Sequence, residues 1–423
     1  MIKKISIRHF LIILTVSLII LRFFEISETL SLLFQFIRLG IKRENFFATQ
    51  LTFELVEQFV SSIGIFALLT VLLRIKRRSH FLNSPLAIYK CVILVICFLF
   101  VFSPIISVYN PNLQFNLSVA KMLSPFSAKV LVEIEEDESN SNDHFKKYYG
   151  LKKNLLRDVT DDKYFICDSV KMNRTIKIFQ KGKEFEISNL SGNKISINNI
   201  LFLFGTDEYG RDIFSRIIYA TRLSTLIGIC AVIVTLLIGG LLGFIAGYFS
   251  RNIDVVLNRF TEMLLAFPTI FLVILFLAYF GNSLLNVIII LGISGWKILF
   301  KIVRGEVIAL KHKNFIITSQ SIGMTKLHLL RKDFIPFLLP SIIVNLVFQF
   351  ANVIIAESSL SYLGLTGNHF YPTLGAMILE GQFYLKQSWW IVTVPSFFLV
   401  ITLLSIHSLG KKLQLKINPF IKE

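Results

Sequence analysis

The chain has 423 residues, 54% of them hydrophobic and only 17% charged, with 41 phenylalanines and a mean hydropathy of +0.67. Such a balance excludes an ordinary water-soluble domain and marks a membrane protein. The net charge of +17 would point to nucleic acid in a soluble protein, but the basic residues cluster in short stretches between apolar runs. Topology accounts for them, and no nucleic-acid partner is implied.

The first apolar run, about 10–24, follows Lys3, Lys4 and Arg8 and meets no small-residue cleavage site, because Arg22, Phe23, Phe24 and Glu25 come next. It reads as a retained anchor. Seven further spans are expected, at about 54–73, 88–108, 223–249, 262–280, 284–303, 338–356 and 389–409, since roughly 20 apolar residues cross a hydrocarbon core. With a cytoplasmic amino terminus, the inner segments hold Arg74, Lys76, Arg77 and Arg78, then Arg251 and Arg259. The cluster from Arg304 to Lys332 and the tail lysines Lys411, Lys412, Lys416 and Lys422 are also inside. The short outer loops hold Arg38, Lys42, Arg43 and Lys386. This bias places both termini in the cytoplasm. Arg211, Arg216 and Arg222 run against it. Arg222 is expected to snorkel to the headgroups, and the other two to lie on an interfacial helix, "IFSRIIYATR".

A polar insertion, 124–199, separates the third and fourth spans. Its acidic run "EIEEDE" reads as solvated surface, and "TIKIFQKGKEFEISNLSGNKISINN" alternates apolar and polar residues around Gly182 and Gly192. That is a hairpin pattern, so a small β-containing module outside the membrane is expected. Cys91, Cys97 and Cys230 lie in apolar runs and Cys167 stands alone in the insertion, which offers neither a disulfide framework nor a metal site.

Directly before the fourth span comes "GTDEYGRD", with Gly205, Asp207, Glu208, Gly210, Arg211 and Asp212. Its acids are close enough for a catalytic pair, but Asp207 or Asp212 at a helix start reads better as an N-cap. The span itself carries Gly239, Gly243 and Gly247, a ridge of small residues four apart that lets another helix approach. Pro268, in "MLLAFPTIFLV", is a hinge or an ordinary kink. The stretch 303–340 is too patterned for a turn. It reads as two short cytoplasmic helices meeting at Gly323, whose apolar side chains need a partner or a lipid surface.

Chemistry is sparse. No HExxH, GxSxG or GxxxxGK[ST] occurs, so no catalytic residue, metal site or bound nucleotide is expected. The spans 223–249 and 263–291 contain no acid, which disfavours a proton-coupled secondary carrier. A membrane-anchored receptor with the insertion as ligand domain is the other rival class.

Seven stretches in order, "SPLAIYKCVILVICFLFVFSPIISVYNPN", "GTDEYGRDIFSRIIYATRLS", "LAFP", "VRGEVI", "AESSLSYLGL", "PTLGAMILEG" and "INP", resemble one family. It is the inner-membrane permease subunits of ABC importers for dipeptides, oligopeptides and nickel, in the second-permease branch. The resemblance implies an all-α polytopic membrane protein with a MetI-like core of six helices. Two extra amino-terminal helices precede that core, and a small extracytoplasmic β-containing insertion interrupts it. The divisions are then 1–80, 81–123, 124–199 and 200–423, with a cytoplasmic coupling region at 304–336. Gly205, Thr206, Asp207, Glu208, Gly210, Arg211, Asp212, Glu357 and Gly364 match the family signature. The family's EAA positions fall on Ile317, Thr318 and Ser319, followed by Gly323, Met324 and the later Pro336. The glutamate usual there is absent; Leu374 and Lys411 replace a usual tryptophan and aspartate.

The same resemblance implies the permease of an ATP-driven importer in the bacterial inner membrane, with peptide as cargo and nickel or another small solute as the alternative. ATP and Mg would be bound in two partner ATPase subunits and not by this chain. A homologous permease, an extracytoplasmic solute-binding protein and the lipid bilayer complete the expected partners.

Overall fold

The computed structural model describes residues 6–42, 53–74, 87–107, 109–115, 117–136, 164–172, 176–180, 183–187, 193–249, 251–367 and 372–417. It divides into two compact units. One gathers Met1–Ala87, Leu94–Arg222 and Glu380–Phe397, and the other Ile88–Ile93, Leu223–Leu379 and Phe398–Glu423.

In the first unit, helices α1 (Ile7–Leu21) and α2 (Phe23–Lys42) meet at a bend of 75°. The bend places Arg22 at the end of α4 (Ile88–Ile106), where its guanidinium donates to Glu25 (2.6 Å), to the carbonyl of Ile106 (3.3 Å) and to that of Ser107. Carbonyls at a helix end lack partners within the helix, and a cation suits them. Helix α3 (Phe53–Arg74) packs Gly64 on Phe102, and the Ser61 hydroxyl donates to the Val101 carbonyl at 2.9 Å. Leu18, Ile26, Ile65, Phe98, Phe102 and Ile105 close the core between these helices. Among the described residues the amino-terminal extension holds α1 and α2 as one bent pair and α3, and they share a core with α4.

The insertion forms two three-stranded antiparallel sheets. Strand β1 (Ser127–Glu136) lies between β2 (Tyr164–Cys167) and β6 (Asn193–Phe202), with Val130 opposite Cys167 and Ser127 opposite Phe202. Strands β3 (Ser169–Met172), β4 (Ile176–Gln180) and β5 (Lys183–Ile187) form a meander, so the hairpin read at Gly182 is present. Gly192 lies outside the described residues. β6 returns to β1, because alternation marks a strand but does not name its partner. The module's core joins Leu131, Ile166, Ile200 and Phe202 to Phe115 and to Val119 of the short helix α5 (Leu117–Ala120).

From Ile213 onward the expected spans need correction. Helix α6 runs unbroken over Ile213–Tyr248 with a π-turn at Leu236–Gly240, so "IFSRIIYATR" is its first turns and not a separate interfacial helix. The span expected at 262–280 is an amphipathic α7 (Arg251–Ala266) and an α8 of only 12 residues (Thr269–Phe280), bent by 89°. Pro268 breaks rather than kinks this segment. Its missing N–H would have met the Leu264 carbonyl, and the buried Lys297 amino group reaches that carbonyl instead (3.4 Å), together with the Thr269 hydroxyl (3.2 Å). By length and composition, five described helices can cross a membrane, or up to seven if each bent pair is one span, against eight expected.

In the second unit helix α9 (Leu284–Lys311) packs against α6, α8 and α12 (Ile335–Tyr362). A Cβ on Gly239, Gly243 or Gly247 would lie 2.8, 2.8 or 2.9 Å from the carbonyl oxygens of Trp296, Phe300 and Arg304 respectively. Three glycines four apart thus face three carbonyls four apart, and backbone meets backbone along α6 and α9. After α9 come α10 (Asn314–Ser321), α11 (Lys326–Leu329), a π-turn at Leu330–Phe334 and α12 (Ile335–Tyr362). Helices α13 (Leu374–Gly381) and α14 (Trp390–Ile417) follow.

Candidate functional site

The signature before α6 folds as a charged elbow in the first unit. Gly205 and Gly210 adopt φ of +76° and +70°, and a Cβ on Gly205 would sit 2.2 Å from the Leu123 carbonyl. Between them Thr206 accepts a hydrogen bond from the Leu123 N–H (2.8 Å), donates its hydroxyl to the Ala120 carbonyl, and offers its own carbonyl to the Trp390 indole (3.4 Å). Asp207 accepts the backbone N–H groups of Tyr209 and Arg211, both at 2.9 Å, the Arg211 Nε at 2.6 Å and the Arg216 Nη1. The second terminal nitrogens of Arg211 and Arg216 converge on Glu380 Oε2 at 2.8 and 2.9 Å. Asp212 caps α6, accepting the Ser215 N–H (2.9 Å) and hydroxyl (2.6 Å).

Asp207 and Asp212 are occupied by arginines, N–H groups and a hydroxyl, which makes the elbow a clamp. Arg222, expected to snorkel to the headgroups, pairs with Glu57 of α3 at 2.7 Å. Glu208 is the exception among the acids: its Oε1 is 4.0 Å from Arg211, and its Oε2 is buried without a partner. Burial, reinforced by the Asp207 charge, raises its carboxyl above the ordinary value. Burial likewise raises Asp212. A raised carboxyl costs stability as pH climbs from the unfolded value toward the folded one, because only the unfolded chain ionises it freely there. Glu208→Gln is therefore expected to raise the melting temperature at pH 7.5 and to lose that gain as pH falls to about 4. Melting curves of both proteins that coincide at every pH would overturn this assignment. Cys167, pushed up to about 11 by its burial, stays a thiol.

In the second unit Glu357 is wholly buried on α12. Four hydroxyls surround it: Ser224 of α6 and Ser361, both at 2.9 Å, Ser358 at 3.5 Å, and Thr373 just before α13. This cage ties three elements through one carboxyl group. Gly364 follows α12 at φ +71°.

Beside the cage lies a cavity of about 380 Å³ lined by residues of α8, α9 and α12 and by Thr269 at the α8 start. Thr269, Ser294, Gln349, Asn352 and Ser359 supply its polar atoms; the remaining lining is apolar and carries no charge. Among the described residues no group of His, Cys, Asp or Glu could hold a metal ion.

The segment read as two helices at a glycine is α10 and α11 joined across Gly323, at φ +82°. The turn is closed by Ile322 N–H to the Thr318 carbonyl (3.0 Å) and Met324 N–H to the Ser319 carbonyl (3.2 Å). Ile316 is buried against Val303, Val307, Phe334 and Leu338, while Ile317, Ile322 and Met324 are 49%, 71% and 39% exposed. Pro336 lies exposed in the first turn of α12. Arg304 of "VRGEVI" donates to both oxygens of Asp254 on α7, its Nη2 at 2.7 Å from Oδ2.

Comparison with known proteins supplies the frame for these features. Residues 239–422 match the family described as "Binding-protein-dependent transport system inner membrane component". The dipeptide transport system permease protein DppC of Alkalihalophilus pseudofirmus is 35% identical over 219 residues, which is 52% of this chain and 72% of that one. The chain belongs to this family. The oligopeptide transport system permease protein OppC of Haemophilus influenzae is 33% identical over 216 residues, 51% of this chain and 70% of that one. A solved inward-facing form of the MetNI methionine ABC transporter aligns with 47% of this chain and 95% of that one, at 15% identity and a TM-score of 0.39.

The matched stretch of this permease opens at Gly239, inside the glycine ridge, and takes in the cavity, Glu357 and the α10–α11 turn. The insertion, the elbow and α1 to α3 precede it. Sequence reasoning missed Ser224, Ser361 and Thr373 around Glu357, although three serines within a stretch as apolar as "AESSLSYLGL" were a usable signal. It also missed Lys297, whose partner is a main-chain carbonyl with no signature of its own.

Proposed function

We propose that this permease is the second transmembrane subunit of an ATP-driven peptide importer. It forms the passage with a homologous permease, receives cargo from an extracytoplasmic binding protein and docks two cytoplasmic ATPase subunits through α10 and Gly323. The observation that carries the reading is the exposed turn at Ile317, Ile322 and Met324, seated on the buried Ile316. A chain without a phosphate-cradling loop must take its free energy from a partner, and a partner drives a conformational change only through contacts that differ between states. Displacement of α10 reaches the membrane helices through the Ile316 contacts with α9 and α12, and α6 through the Glu357 cage. ATP-driven closure of the ATPase pair thereby tilts the helices from inward-open to outward-open.

Peptide is favoured over nickel by the names of the relatives and by the cavity. Its amides and hydroxyls suit a peptide backbone, whereas a nickel ion wants imidazole, thiolate or carboxylate ligands. Both termini are assigned to the cytoplasm by the basic inner segments. The test is uptake into proteoliposomes holding the permease pair, its ATPases and its binding protein, with labelled dipeptides, labelled oligopeptides and nickel as cargoes. ATP-dependent peptide uptake that survives collapse of the proton gradient is expected. Uptake driven by the proton gradient without ATP would make the protein a secondary carrier, and ATP-dependent uptake of nickel alone would overturn the cargo assignment.

A further inference from the structure

The apolar side chains of the α10–α11 turn form a knob rather than a stripe. Ile316 and Ile317 are neighbours, yet one is buried and the other half exposed, and Ile322 and Met324 lie beyond the helix end. A helix that rides on lipid presents one long apolar face instead, so a groove in a protein fits the knob better than a headgroup layer. The hydroxyls of Thr318 and Ser321 are spent on carbonyls of their own helix, at 2.9 Å each. The knob therefore offers hydrocarbon without a carboxylate.

Its surroundings are basic. Residues 311–333 hold Lys311, Lys313, Lys326, Arg331 and Lys332 against Asp333 alone, which gives 5 − 1 = +4 with histidines neutral. Lys313, Arg331 and Lys332 are exposed on the segments that flank the turn in the chain. A partner with a cationic rim would be repelled, since like charges brought together at an interface cost several kcal/mol.

We propose that the groove receiving this turn is apolar at its floor and carries carboxylates on its rim, where they meet Lys313, Arg331 and Lys332. The proposal rests on the reading of α10 as the ATPase-docking element and names the chemistry of that partner. Ile317, at the position where the resembled family has glutamate, is the hydrophobic centre of the contact. Restoring the family's glutamate would bring a carboxylate to a groove already rimmed with them.

The experiment measures the Kd of the ATPase subunit for the nanodisc-embedded permease pair at 50 and 300 mM salt, with size-exclusion profiles as the folding control. Ile317→Glu is expected to weaken binding about tenfold or more, and Ile317→Ser by less. The triple change Lys313→Glu, Arg331→Glu and Lys332→Glu is expected to weaken it about tenfold at low salt and to remove the salt dependence that the unaltered pair shows. Native or tighter binding of Ile317→Glu, or an unchanged salt dependence in the triple variant, would overturn the acidic rim. If Ile322→Asp still weakens binding in that case, the docking reading stands without it. If none of these substitutions changes ATPase binding, and a spin label on Ile322→Cys reports lipid, then headgroups cover the knob and both readings fall.

Discussion

Arg216→Ala is expected to abolish accumulation of folded permease. Arg216 is 2% exposed and bridges Asp207, itself 2% exposed, to Glu380. Its removal leaves Asp207 buried with Arg211 as its remaining cationic partner, and leaves Glu380 without one of its two donors. Breaking a buried pair by deleting one partner costs about 3–5 kcal/mol, a large share of the roughly 5–15 kcal/mol by which domains are stable. Arg211→Ala should cost less, because that side chain is 12% exposed and water can replace part of what it gives. Fluorescence-detected size exclusion of detergent extracts measures both. Adding Asp207→Asn to Arg216→Met should recover part of the loss, since no uncompensated charge then remains on that side. Normal levels of Arg216→Ala with transport selectively abolished would give the elbow a direct part in the transport cycle.

The second large effect belongs to the glycine ridge. Gly243→Leu is expected to yield no monodisperse protein, and Gly243→Ala to lower the melting temperature by several degrees. The Cβ alone would stand 2.8 Å from the Phe300 carbonyl and 2.9 Å from the Val303 Cβ. Neither neighbour is the free end of a flexible side chain, so α6 and α9 must separate. Overpacking of this kind typically costs about 1–3 kcal/mol, and here it would also open the packing at Gly239 and Gly247 on the same ridge. Gly240, whose Cβ would meet only Leu236 at 3.5 Å, serves as the control: Gly240→Ala should leave the melting temperature nearly unchanged. Equal melting temperatures for the two alanine variants would remove the ridge from the account of helix packing.

Periodicity and composition carried the helical skeleton, the glycine face and the two short helices at Gly323, because each depends on residues close together in the chain. What they misplaced depended on distant partners. Arg216 looked like a boundary charge, since nothing near it predicts Glu380, 164 residues away. The alternation of β6 did not name its partner, because β1 lies on the far side of the insertion. Pro268 was read alone and Lys297 not at all, whereas the broken helix and the buried amine satisfy one another. In the candidate site, Ile317, Thr318, Ser319, Gly323, Met324 and Pro336 could be placed by register, but their exposure could not. The hydroxyl cage of Glu357 joins residues 133 positions apart and has no local pattern.

The contact of Arg22 with the Ser107 carbonyl spans 85 residues of chain, and a ribosome makes about 5–20 residues per second. For roughly 4–17 s after its synthesis the guanidinium therefore has no α4 carbonyls to meet, and during that interval Glu25 with water, headgroups or the insertion machinery must hold its charge. The α1–α2 bend thus carries a timetable as well as a shape: it can be set in its final form only when α4 has been threaded to its last turn.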